Sequence, residues 1–185
     1  AAKANTTGTG TVANGYQALT ANTTGDYNTA MGYQSLYSNT TGQHNTALGY
    51  KAMYSSTDSH YNTAVGYEAL YTNGSQQNLV AIGYQAGKLW TGATDSTVIG
   101  YRAGASGQGG DYNVAVGSSA LLQVDDSGGG GNHNVAVGYV SLEGLSSGAG
   151  NTGIGSRTLD AITNGSYNTA IGYNAGSAVS GGGTG

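Results

Sequence analysis

Ten glycines stand in one register along this chain: Gly15, Gly32, Gly49, Gly66, Gly83, Gly100, Gly117, Gly138, Gly155 and Gly172. Every interval is 17 residues except Gly117 to Gly138, which is 21 and contains Asp125-Asp126-Ser127-Gly128-Gly129-Gly130-Gly131. So short and regular a period points away from a globule and toward one small unit stacked on copies of itself. It also argues against a catalyst, because the same side chains recur in every unit instead of converging on one centre. The chain is expected not to be an enzyme and to carry no cofactor.

Composition narrows the class further. The 35 glycines do not recur at every third position and Pro is absent, so this is not a collagen. Charged residues make up 8% of the chain and the net charge is -4, with aliphatic and Tyr positions strictly periodic, unlike a disordered segment. Five scattered basic residues give no electrostatic footprint for nucleic acid. No apolar run is long enough to span a bilayer as a helix, so membrane insertion is not expected. With no Cys and three His lacking ligand spacing (His44, His60 and His133), a zinc site is not expected either.

Positions are conveniently counted from the register glycine. Position −3 is Val or Thr in all ten units, position −1 is aliphatic or Met in nine (Asn14 is the exception), and position +1 is Tyr in eight. These share one parity, so in an extended strand they point to one face. The other parity carries Ala at −2, the glycine itself, and mostly polar residues at +2 such as Gln34, Lys51 and Glu68. The pattern is a strand with a bulky face and a small-residue face, and it lacks the 3.6-residue period of a helix. Ala-Leu at +3 and +4 predicts a second, shorter segment, and Asn-Thr-Thr-Gly at 22–25 and 39–42 a turn. The expected fold is all-β: a β-solenoid, or parallel β-roll, of ten 17-residue coils, about 48 Å long at ~4.8 Å per coil. Residues 1–10 read as a lead-in, 11–176 as the repeat domain with a loop insertion at 125–132, and 177–185 as a Gly-rich tail.

Stacking places like residues above one another. All fifteen Tyr fall at +1, −5 or +5, which predicts aromatic ladders such as Tyr33-Tyr50-Tyr67. Asn28, Asn45, Asn62, Asn113, Asn134, Asn151 and Asn168 share position −4 and predict an amide ladder that holds coils in register. The small strip formed by Ala30, Gly32, Ala47, Gly49, Ala64 and Gly66 has two available partners. One is the chain's own second segment; the other, favoured here, is the identical strip of another copy, since small residues let backbones approach closely. Neither end carries an obvious cap, so further polypeptide or another subunit is expected to continue the stack.

Asn28-Thr29-Ala30-Met31-Gly32-Tyr33-Gln34-Ser35-Leu36 and Asn62-Thr63-Ala64-Val65-Gly66-Tyr67-Glu68-Ala69-Leu70, separated by Asn-Thr-Thr-Gly turns, resemble the head repeats of trimeric autotransporter adhesins and, still more, the tandem repeats of phage tail-fibre proteins. The resemblance covers roughly residues 11–176. It implies a homotrimer of parallel β-rolls forming a stiff rod outside the cell, on a cell surface or a virion. It also implies contact with a cell-surface glycan or protein. The chain departs from the adhesin heads in coil length and in the Tyr after the Gly, which favours a fibre segment. The alternative is an open extracellular filament built by head-to-tail stacking of solenoids.

Only features that break the repeat single out a particular place. The insertion, with Asp125, Asp126 and nearby His133, is one candidate receptor contact, because insertions in solenoids map to surface loops. Trp90, the one Trp, sits in a turn and is expected either to stack on a partner such as a sugar ring or to fold back over the core. Thr23-Thr24 and Thr40-Thr41 make only a two-coil array, too small for a flat ice-binding face.

Overall fold

The computed structural model describes residues 1–72, 74–125 and 130–178. Ten three-residue strands follow one another: β1 (Val12–Asn14), β2 (Thr29–Met31), β3 (Thr46–Leu48), β4 (Thr63–Val65), β5 (Val80–Ile82), β6 (Thr97–Ile99), β7 (Val114–Val116), β8 (Val135–Val137), β9 (Thr152–Ile154) and β10 (Thr169–Ile171). They form one parallel sheet in sequence order, each residue paired with its equivalent in the next coil, as in Thr46↔Thr63, Ala47↔Ala64 and Leu48↔Val65. The chain is a β-solenoid.

The predicted second segment around Ala-Leu is not a strand. Positions +2 and +4 carry positive φ in residues that rarely adopt it, including Gln34 (φ 53), Leu36 (φ 48), Glu68 (φ 52) and Leu70 (φ 48). Alternating the backbone hand reverses successive peptide groups. The Gln34 N–H therefore donates to Tyr16 O in the coil before (2.8 Å), and the Leu36 N–H to Ala52 O in the coil after (3.0 Å). Each left-handed residue costs roughly 1 kcal/mol, and a hydrogen bond between coils offsets it at every turn of the stack.

The two strand faces sit opposite to the sequence-based expectation. Ala30, Ala47, Ala64, Ala81, Ala115 and Ala136 at −2 are fully buried, facing the lumen with Leu19, Leu36, Met53, Leu70, Leu121 and Leu142 of position +4. The Thr, Val and Ile at −3 and −1 point outward. The reason is the width of the coil: with Leu inside at +4, the facing strand has room only for Ala. Ala30, Ala47 and Ala64 are thus core residues with no surface to offer another chain. Gly32, Gly49 and Gly66 pack on the next glycine of their own column, where an added Cβ would collide with its carbonyl.

The lumen also holds the amides. Asn45 Nδ2 donates to Ser59 O (2.6 Å) and to Asn28 Oδ1 (3.1 Å), and Asn45 Oδ1 accepts from the Asn62 backbone N–H (3.0 Å). Leu79 and Ser96 interrupt this ladder, which resumes at Asn113, Asn134 and Asn151. A second ladder at +7, which reads in the sequence only as turn residues, links Asn5, Asn22 and Asn39 (3.0 and 2.8 Å). Replacing Asn45 by Ala strands the Asn62 N–H and the Ser59 carbonyl in the core. We expect a loss of about 3 kcal/mol in urea unfolding, with the strand content by circular dichroism unchanged.

Candidate self-association surface

The outward face of the ten strands is the most extensive regular feature of the molecule. Its centre is the −1 column: Met31, Leu48, Val65, Ile82, Ile99, Val116, Val137, Ile154 and Ile171, of which Met31 is 45% and Ile82 37% exposed. On one side runs the −3 column of Thr and Val. On the other, beyond the glycine that ends each strand, runs the Tyr column. None of these thirty positions holds a charged residue. Each strand contributes the same pair of outward residues because register is exact in the side-chain sense: a one-residue slip would bury the bulky set and expose Ala.

The Tyr column is a true ladder. Tyr16, Tyr33, Tyr50, Tyr67, Tyr84 and Tyr101 stack with ring centroids 4.9–5.3 Å apart and planes within 14°. Shorter ladders join Tyr37, Tyr54 and Tyr71 at +5, and Tyr27, His44 and Tyr61 at −5. Stacking covers the faces of the interior rings and leaves their edges and hydroxyls toward solvent, so the ladders present a corrugated wall, not open stacking platforms.

Charges lie off this strip, at +2 and +5 on one side and, as Asp26, Asp95 and Asp111, at −6 and −5 on the other. Lys51 lies over the rings of Tyr50 (5.3 Å) and Tyr54 (5.1 Å). Glu68 pairs with Lys88 (2.7 Å) and accepts from the Gln85 amide (2.9 Å). Burial pushes the Glu68 carboxyl up, but those two partners outweigh it and hold it below the usual carboxylate value. Among the described residues, no group of three or more His, Asp or Glu is placed to hold a metal ion, and no helix is long and apolar enough to cross a membrane.

The residues expected to touch a receptor occupy separate columns. Trp90 is 0% exposed and belongs to the core, which removes it as a surface contact and leaves the folded-back alternative. The turn hides it because the following coil carries Gly104 at +4 where most coils carry Leu, leaving room for the indole. Asp125 pairs through its backbone with Gly109 and with Ser146 O (2.7 Å) at a corner of the coil. His133 continues the −5 column, exposed and stacked on Tyr112 (4.9 Å). Asp126 lies outside the described residues. Nothing in the sequence marks the −1 column as an outward surface, because apolar side chains in a strand ordinarily mark its buried face. Comparison with known families, characterised proteins and solved structures finds no match.

Proposed function

We propose that this chain is a segment of an extracellular structural and adhesive fibre, on a cell surface or virion, whose rods assemble side by side as homotrimers through the outward strand face. The observation that carries the reading is the uncharged strip over ten in-register strands. At ~4.8 Å per coil and ~3.3 Å per residue its flat outline is about 48 by 13 Å, or roughly 600 Å². That is at the upper end of the apolar patches monomers leave in water and near the ~800 Å² per partner of a stable interface. Depletion of charge with enrichment in Tyr is the composition of an interface core. Hydrogen bonds from every coil to the next supply the stiffness a fibre needs, and the resemblance of the repeats to tail-fibre and adhesin-head sequences points the same way.

Light scattering on a size-exclusion column tests it. The wild-type chain is expected at three chain masses. Met31→Lys, Val65→Lys and Ile99→Lys together place three like charges in the strip, two coils apart, without touching the core. We expect that variant at one chain mass with an unchanged circular dichroism spectrum. A wild-type monomer overturns the reading, and a mass that climbs with concentration without a plateau favours the head-to-tail filament instead.

A further inference from the structure

One corner of the stack is hollowed. At +5 the successive coils carry Tyr37, Tyr54 and Tyr71, then Lys88, Ala105 and Leu122. At +7 the coil of Gly100 carries Gly107. At Gly107 the surface sinks into an open cleft of about 520 Å³ between Leu89 and Leu122, rimmed by Ser106, Gln108, Gln123 and Asp125. Among the amides at +2, Gln34 donates to Gln17 (2.7 Å) and Gln85 to Glu68 (2.9 Å). The side chains of Gln108 and Gln123 are exposed and have no such partner among the described residues.

The geometry points to this cleft as a binding site for a neutral saccharide. The inference rests on the adhesive part of the reading above and supplies its ligand class. Each primary amide offers a donor and an acceptor side by side, the arrangement that matches adjacent sugar hydroxyls, which also donate and accept. The Ser106 hydroxyl and the Asp125 carboxylate add acceptors for further O–H groups. Leu89, 41% exposed, and Leu122 give the apolar patch on which a C–H face of the ring can rest. No Lys or Arg lines the cleft, so an acidic sugar finds no counter-charge and meets the Asp125 carboxylate. The cleft lies at positions +5 to +8, away from the −3, −1 and +1 strip, so assembly through that strip leaves it open to solvent.

Saturation-transfer NMR and titration calorimetry test the inference on the whole chain. The probes are glucose, galactose and N-acetylglucosamine with their β-linked disaccharides, set against glucuronic and N-acetylneuraminic acids. At least one neutral sugar is expected to bind at millimolar concentration or tighter, and the acidic sugars not at all. Gln108→Ala with Gln123→Ala is expected to weaken binding at least tenfold while the circular dichroism spectrum stays that of wild type. The inference is overturned if no neutral sugar binds, if acidic sugars bind equally well, or if the double variant binds like wild type. Chain mass measured on the same samples separates the two readings: a trimer that binds no sugar overturns the cleft alone, and a monomer that binds sugar overturns the assembly alone.

Discussion

Replacing Gly66 by Ala is expected to break the solenoid in two. Gly66 has φ 136, a conformation that side chains strongly disfavour. A Cβ there would also stand 2.7 Å from the carbonyl carbon of Gly83 and closer still to its oxygen. Neither backbone can yield, because the Gly66 N–H donates to Leu48 O (2.8 Å) and the Gly83 N–H to Val65 O (2.8 Å). Relief requires separating two coils, which removes the hydrogen bonds that cross that junction. We expect a loss of more than about 3 kcal/mol. Because each coil contacts only its neighbours, the damage should be local: thermal unfolding by circular dichroism resolves into two transitions, and limited proteolysis cuts near residue 66. Gly172→Ala is the control. Its φ is 119, but an added Cβ meets nothing within 4 Å. Only the conformational penalty remains there, roughly 1 kcal/mol. Equal effects at the two sites would show that backbone conformation alone, and not the stacking of glycine on glycine, makes the register glycines necessary.

The same stacking explains what could be read from the sequence and what could not. A parallel in-register sheet repeats each residue's environment in the next coil, so columns of Gly, Asn and Tyr advertise their own positions. The period, the ten strands and the −4 amide ladder follow directly. Orientation does not. Both faces of a Thr-Ala-Met strand are apolar enough to bury, and size suggests that Met and Ile go inside. The decision is made across the lumen, by Leu at +4, and nothing within the strand records it. The left-handed residues at +2 and +4 are equally silent, because Gln and Leu have no preference for that conformation; only the hydrogen bonds between coils place them there. The receptor candidates suffered from the opposite problem. Trp90 is conspicuous as a singular residue in a turn, and its burial depends on what the following coil lacks.

That dependence makes Trp90 the second large effect. The indole is 0% exposed, and it lies where Gly104 occupies the +4 position that holds Leu in most coils. A Cβ on Gly104 would sit 2.7 Å from Trp90 Cζ2, and one on Gly109 would sit 2.8 Å from its Cδ2. Trp90→Ala empties this volume and should cost about 3–5 kcal/mol. Gly104→Leu alone drives a side chain into the ring and should cost at least about 1–3 kcal/mol. Together, Trp90→Leu and Gly104→Leu rebuild the arrangement of Leu145 with Leu159 of the following coil, and resemble that of Val124 with Leu142, which are all buried. The backbone already suits it: Gly104 has φ 59, beside 52 at Leu121 and Leu142. The double variant should therefore recover most of the stability lost by either single change, a favourable coupling of about 2 kcal/mol or more in a urea-denaturation cycle. Additive losses would mean that the coils around Trp90 cannot adopt the packing of their neighbours, and that the indole does more than fill the space left by the missing leucine.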